Sequence, residues 1–106
     1  MKYILSIVIC FVFVAGNSQT PTYTEHIAPI VYKNCLPCHR TGGTAPFALE
    51  TYKQVKQKGK FIQYVTEAGY MPPWKANPHY RNFANEKYLT ENEKELIKQW
   101  VQTGAK

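Results

Sequence analysis

Between Thr51 and Ala68 apolar residues return at helical spacing. In one continuous helix Val55, Phe61, Ile62, Val65 and Ala68 would share a side, and Lys53, Lys56 and Lys60 the opposite one. Gly59 is a point at which the stretch can divide in two, and Gly69 is placed to end it as a C-cap. The clearest element is the last. Thr90 and Glu93 form a capping box, Leu89 can act as its staple, and Leu96, Ile97, Trp100 and Val101 make a buried face before Gly104 closes the helix. A shorter helix is expected from near Ile27 to Asn34, with Ile27, Ile30 and Val31 as its apolar stripe. Pro29 fits only its first turn, where a missing N–H costs nothing. Arg40 to Leu49 (RTGGTAPFAL) and Tyr70 to Asn85 (YMPPWKANPHYRNFAN) are rich in turn residues and read as loops. No stretch alternates with a period of two, so the pattern predicts an all-α domain of about four helices.

The start of the chain follows a different rule. Lys2 gives a positive beginning, Tyr3 to Ala15 is apolar, and small Gly16 and Ser18 stand three and one positions before Gln19. That is the layout of a secretory signal peptide, and the apolar run falls short of the roughly 20 residues a membrane span needs. An uncleaved N-terminal anchor is the competing reading. The expected organisation is therefore a signal peptide over 1–18 and one domain over 19–106, exported to the periplasm and with no stable membrane span after cleavage. The 106 residues allow no second domain, and neither a repeat nor a low-complexity tract appears.

Export changes what the three cysteines mean. Cys10 leaves with the signal, and Cys35 and Cys38 are too close in sequence to staple a fold. The formal net charge of +6 suits an acidic protein partner or an anionic surface. Nucleic acid is not expected, because the chain is exported and has no dense Arg/Lys run. Lys53, Lys56 and Lys60 read first as a solvated face and second as a docking patch.

Candidate chemistry gathers in CLPCH, Cys35 to His39. Zinc wants four tetrahedral ligands; this cluster offers at most three, two of them adjacent. A redox dithiol wants its first Cys at a helix N-terminus in a βαβ setting, whereas Cys35 follows a predicted helix in a strandless chain. Covalent haem needs what is present: two thiols on one short turn to form thioethers with the vinyl groups, and His39 to follow beneath the iron. A second axial ligand could come from Met71, the one methionine left after processing, in a loop stiffened by Pro72 and Pro73. His79 in the same loop and His26 before the first helix are its competitors. Phe47 and Leu49 could pack on the porphyrin or simply fill the core. Trp74, Arg40 and Lys75 are candidates to contact the propionates, and Trp100 reads as core.

In order, Cys35–His39, Ala45–Pro46–Phe47, Met71–Trp74 and Trp100–Ala105 give CxxCH, APF, MPPW and WVxxGA. This combination resembles small bacterial secreted single-haem cytochrome c domains over nearly all of the chain from Ile27 to Lys106. The resemblance implies a compact cytochrome c fold with first and last helices crossing, and one haem c held between the CxxCH and Met71 loops by Cys35, Cys38, His39 and Met71. It also implies a single-electron carrier rather than an enzyme, serving a redox partner protein. Such domains also stand at the front of longer exported oxidoreductases, so an electron-feeding module is a second expectation. A haem-based sensor or peroxidase with an open sixth position is a third.

Overall fold

The computed structural model describes Gly16, residues 19–77 and residues 79–106. The expected signal peptide lies outside the described residues, Gly16 apart. The described chain is helical: a π-helical turn over Tyr23–Ile27, then α1 (Ala28–Asn34), α2 (Tyr52–Gln57), α3 (Gly59–Glu67) and α4 (Glu91–Gln102). No strand occurs among the described residues, and none of their helices is long and apolar enough to cross a membrane.

The first helix begins earlier than its apolar stripe suggests. The π turn runs directly into α1, and Pro29 sits in the first turn of α1. Ile27, Ile30 and Val31 are buried, as the stripe requires. The turn over Tyr23–Ile27 has no apolar period of its own. It is tied instead to the far end of the chain, because the Tyr23 N–H donates to the Lys106 carbonyl at 2.8 Å.

The long helical stretch does divide, at Lys58, one residue before Gly59. Each half has its own anchor. Thr51 caps α2 in a box with Gln54: the Gln54 N–H donates to Thr51 Oγ1, and the Thr51 N–H to Gln54 Oε1. Gly59 then lies so close to α4 that an added Cβ would meet Val101 at 3.4 Å and the Trp100 ring at 3.9 Å. The expected single apolar face does not persist. Val55, Ile62 and Val65 are buried, but Phe61 is 52% exposed and Ala68 is also exposed. Gly69, at φ +79, ends α3 in the left-handed conformation that glycine adopts without strain.

Trp100 is the centre of the core at 1% exposure. Its ring lies 5.9 Å from Tyr23, and its Nε1–H donates to the Lys106 carbonyl at 2.7 Å. Tyr52 adds a bond from its hydroxyl to the Ala105 carbonyl at 2.6 Å. Helix α4 thus packs against both α3 and the opening turn, and that turn is fastened to the C-terminal residues. Its N-terminus carries the expected box, with Glu93 N–H donating to Thr90 Oγ1 at 3.1 Å and Thr90 N–H to Glu93 Oε2 at 2.8 Å. Leu89 is buried beside it.

Candidate functional site

The chain leaves α1 through a tight turn that carries three reactive side chains. Cys35 N–H still donates to the Val31 carbonyl, and the Cys35 carbonyl then accepts from both Cys38 N–H (3.2 Å) and His39 N–H (2.8 Å). One short hydrogen-bonded turn therefore positions both thiols and the imidazole. The following loop folds back over it: Ala45 N–H donates to the Cys38 carbonyl, and Leu49 N–H to the His39 carbonyl at 2.8 Å. Gly43 permits this close approach, since a Cβ there would collide with the Cys38 carbonyl. The neck of the loop is closed by Glu50, whose carboxylate accepts from the Thr41 N–H and hydroxyl, each at 3.0 Å.

This folding-back fixes the state of His39. Its Nδ1 lies 3.0 Å from the Phe47 carbonyl oxygen, which can only accept. Nδ1 therefore carries a proton, which leaves Nε2 as the nitrogen that can offer a lone pair to an electrophile. A backbone carbonyl on the far nitrogen is the usual way a metal-binding imidazole is oriented and made more basic. The Phe47 ring also packs on the imidazole, with centroids 4.6 Å apart.

Cys35, Cys38 and His39 open onto a pocket of about 400 Å³ that is also lined by Met71. Leu49, Phe61, Ile62 and Val65 form apolar wall, and none of the described residues lining it is Asp, Glu, Lys or Arg. The volume lies in the range of small-molecule and cofactor sites. Met71 reaches the rim because the chain turns sharply after Gly69. Both Tyr70 and Met71 donate their N–H groups to the Val65 carbonyl, at 2.9 and 3.1 Å. Met71 is 40% exposed.

His79 and His26 are not among the residues lining the pocket. His79 lies exposed, its N–H donating to Asn77 Oδ1, while the His26 Nδ1 accepts from the Thr22 N–H at 3.0 Å. Arg40 is turned back onto the Pro37 carbonyl and Lys75 is exposed. Phe47 and Leu49 both line the pocket, and Leu49 also belongs to the core.

The thiols are both free. Burial pushes the Cys35 thiol up to about 11, so it stays protonated at neutral pH. A nucleophilic redox cysteine needs the opposite shift, and Cys35 sits at the C-terminal end of α1 rather than at a helix N-terminus. Among the described residues no three His, Cys, Asp or Glu side chains converge as a ligand set for a metal ion.

Two wall residues have no signal in the spacing of motifs. Asn34, 7% exposed, donates Nδ2–H to the Ile30 carbonyl at 3.2 Å and leaves its buried Oδ1 without a partner. Thr66, also buried, donates its hydroxyl hydrogen to the Ile62 carbonyl at 2.8 Å. Trp74, just beyond the Pro72–Pro73 part of the wall, packs near Phe83 and has a buried indole N–H without an acceptor. Comparison of the chain with protein-family models, with curated proteins and with solved structures finds no match.

Proposed function

We propose that this chain is an exported mono-haem c-type cytochrome that passes single electrons to and from a redox partner protein in the periplasm. The observation that carries the reading is the convergence of Cys35, Cys38, His39 and Met71 on one apolar pocket, with the His39 Nδ1 proton already held by a carbonyl. Cys35 and Cys38 would each add a thiol across a vinyl group, which fits their place on a single turn. His39 would present Nε2 to the iron, and Met71 would offer its thioether sulfur from the loop after α3. Bound haem supplies the one-electron couple between ferric and ferrous iron. The apolar walls at Leu49, Ile62 and Val65 keep water from that centre, and a thioether ligand with burial of the iron favours the ferrous form. The orphaned indole N–H of Trp74 is a donor suited to a propionate oxygen.

On this reading the protein is a carrier rather than an enzyme. The basic balance of the chain supports an acidic docking partner. The test is a visible spectrum of the purified protein in both redox states. Sharp ferrous bands of a six-coordinate c-type haem, with a weak red ferric band from a methionine–iron bond, are expected. A ferric protein that takes up cyanide at once has an open sixth position, as a sensor or peroxidase would, and a protein with no haem absorption contradicts the proposal outright.

A further inference from the structure

The Phe47 ring is contacted twice, and only one contact concerns the pocket. His39 lies against it at 4.6 Å, and Lys58 Nζ lies 4.9 Å from its centroid. Lys58 is the residue at the break between α2 and α3, and the break fixes where its side chain starts. Its N–H is taken by the Gln54 and Val55 carbonyls, and its carbonyl accepts from Ile62 N–H at 2.8 Å. Its charge is not neutralised, since the ion pair found among the described residues is Lys94–Glu91.

We infer that Lys58, acting through Phe47, is a positioning residue that sets the reduction potential of the iron bound by His39. The inference rests on the proposed haem ligation. The ammonium group holds the Phe47 ring, and the Phe47 main chain holds the His39 Nδ1 proton, so the imidazole orientation depends on both. The charge also acts directly. With the two separations laid end to end, Nζ is at most roughly 10 Å from the imidazole centre. Lys58 is exposed, so a water-like dielectric applies, and at that range a unit charge alters the reduction equilibrium constant by about twofold. The sign is fixed: a fixed cation favours the state with one positive charge fewer, which is the ferrous state.

The chain contains its own control. Lys56 lies 5.6 Å from the Tyr52 ring, and Tyr52 bonds the Ala105 carbonyl and stacks near Tyr23, away from the pocket lining. Lys56→Gln removes the same charge from the same segment without a route to His39. The experiment is spectroelectrochemical titration of the haem-bearing wild type, Lys58→Gln, Lys58→Arg and Lys56→Gln. Lys58→Gln should lower the reduction equilibrium constant by about twofold with its ligand bands intact. Lys58→Arg, which can also stack on the ring, should restore it, and Lys56→Gln should move it much less. In a Phe47→Leu background, which keeps the carbonyl and removes the ring, the Lys58→Gln effect should shrink. Equal shifts for Lys58→Gln and Lys56→Gln overturn this inference and leave the proposed function standing. Wild-type protein without haem overturns both.

Discussion

The two sides of this molecule are finished to different degrees. On one side the opening turn, α2 and α4 close around Trp100, and Tyr23, Tyr52 and Trp100 hold the C-terminal residues by three hydrogen bonds to the Ala105 and Lys106 carbonyls. On the other side Phe61, Tyr70 and Met71 stand exposed at a 400 Å³ pocket, and Asn34 Oδ1 and Trp74 Nε1 lack partners. The contrast is not perfect, because the Tyr23 hydroxyl on the closed side is buried without a partner as well, and its titration is raised chiefly by that burial. Still, apolar surface and unpaired groups accumulate where CLPCH and Met71 face one cavity. The closed side carries most of the packed core, whereas the pocket side exposes the apolar surface that the proposed haem would cover.

The largest expected effect comes from leaving that side uncovered. By the cavity scale an enclosed void of 400 Å³ would cost about 10 kcal/mol, comparable with the whole stability of a small domain. The pocket is open, so this is an upper bound. Replacing both Cys35 and Cys38 with Ala should therefore leave a largely unfolded or molten chain by circular dichroism and thermal melting. A cooperative transition close to wild type would show that the polypeptide core suffices. Next in size is the scaffold itself: Trp100→Ala should cost about 3–5 kcal/mol in denaturant unfolding, while the fraction still folded keeps the wild-type haem spectrum. A changed spectrum in that fraction would mean the two sides are not separate.

How much of this is legible along the chain follows the same division. The α4 cap, the Gly69 and Gly104 stops and the place of Pro29 are local, so the sequence predicts them from neighbours three or four residues apart. The triad of Cys35, Cys38 and His39 is legible for the same reason, since a single turn carries it. The opening π turn is not, because its Tyr23 N–H is satisfied by Lys106 at the other end of the chain. Phe61 reads as core from its period but is half in solvent, because the element it faces is the pocket. The capping box of Thr51 and Gln54 is seen in the structure and is not among the expectations from the sequence, although the helical pattern does start at Thr51. The Phe47 carbonyl belongs to the site through folding-back of a loop, which no spacing reports.

Met71 sharpens the comparison at its open edge. Met71→Ala should abolish the weak red ferric band, lower the reduction potential and admit cyanide or imidazole to the iron, as loss of a thioether requires. If Met71→Ala leaves the spectrum unchanged while His79→Ala alters it, the iron is bis-histidine and the ligand assignment is wrong. The smallest effect belongs to a scaffold cap. Thr90→Ala removes the bond to Glu93 N–H and should cost about 1 kcal/mol, without a measurable change in potential. A shift in potential from this variant would couple α4 to the pocket.

The central claim is that the pocket side is completed covalently through Cys35 and Cys38. Mass spectrometry of the mature protein, purified from cells competent in haem attachment and then denatured, tests it most directly. The account predicts one haem still bound to the unfolded polypeptide, on a peptide containing both cysteines. A mass equal to the bare chain would contradict it.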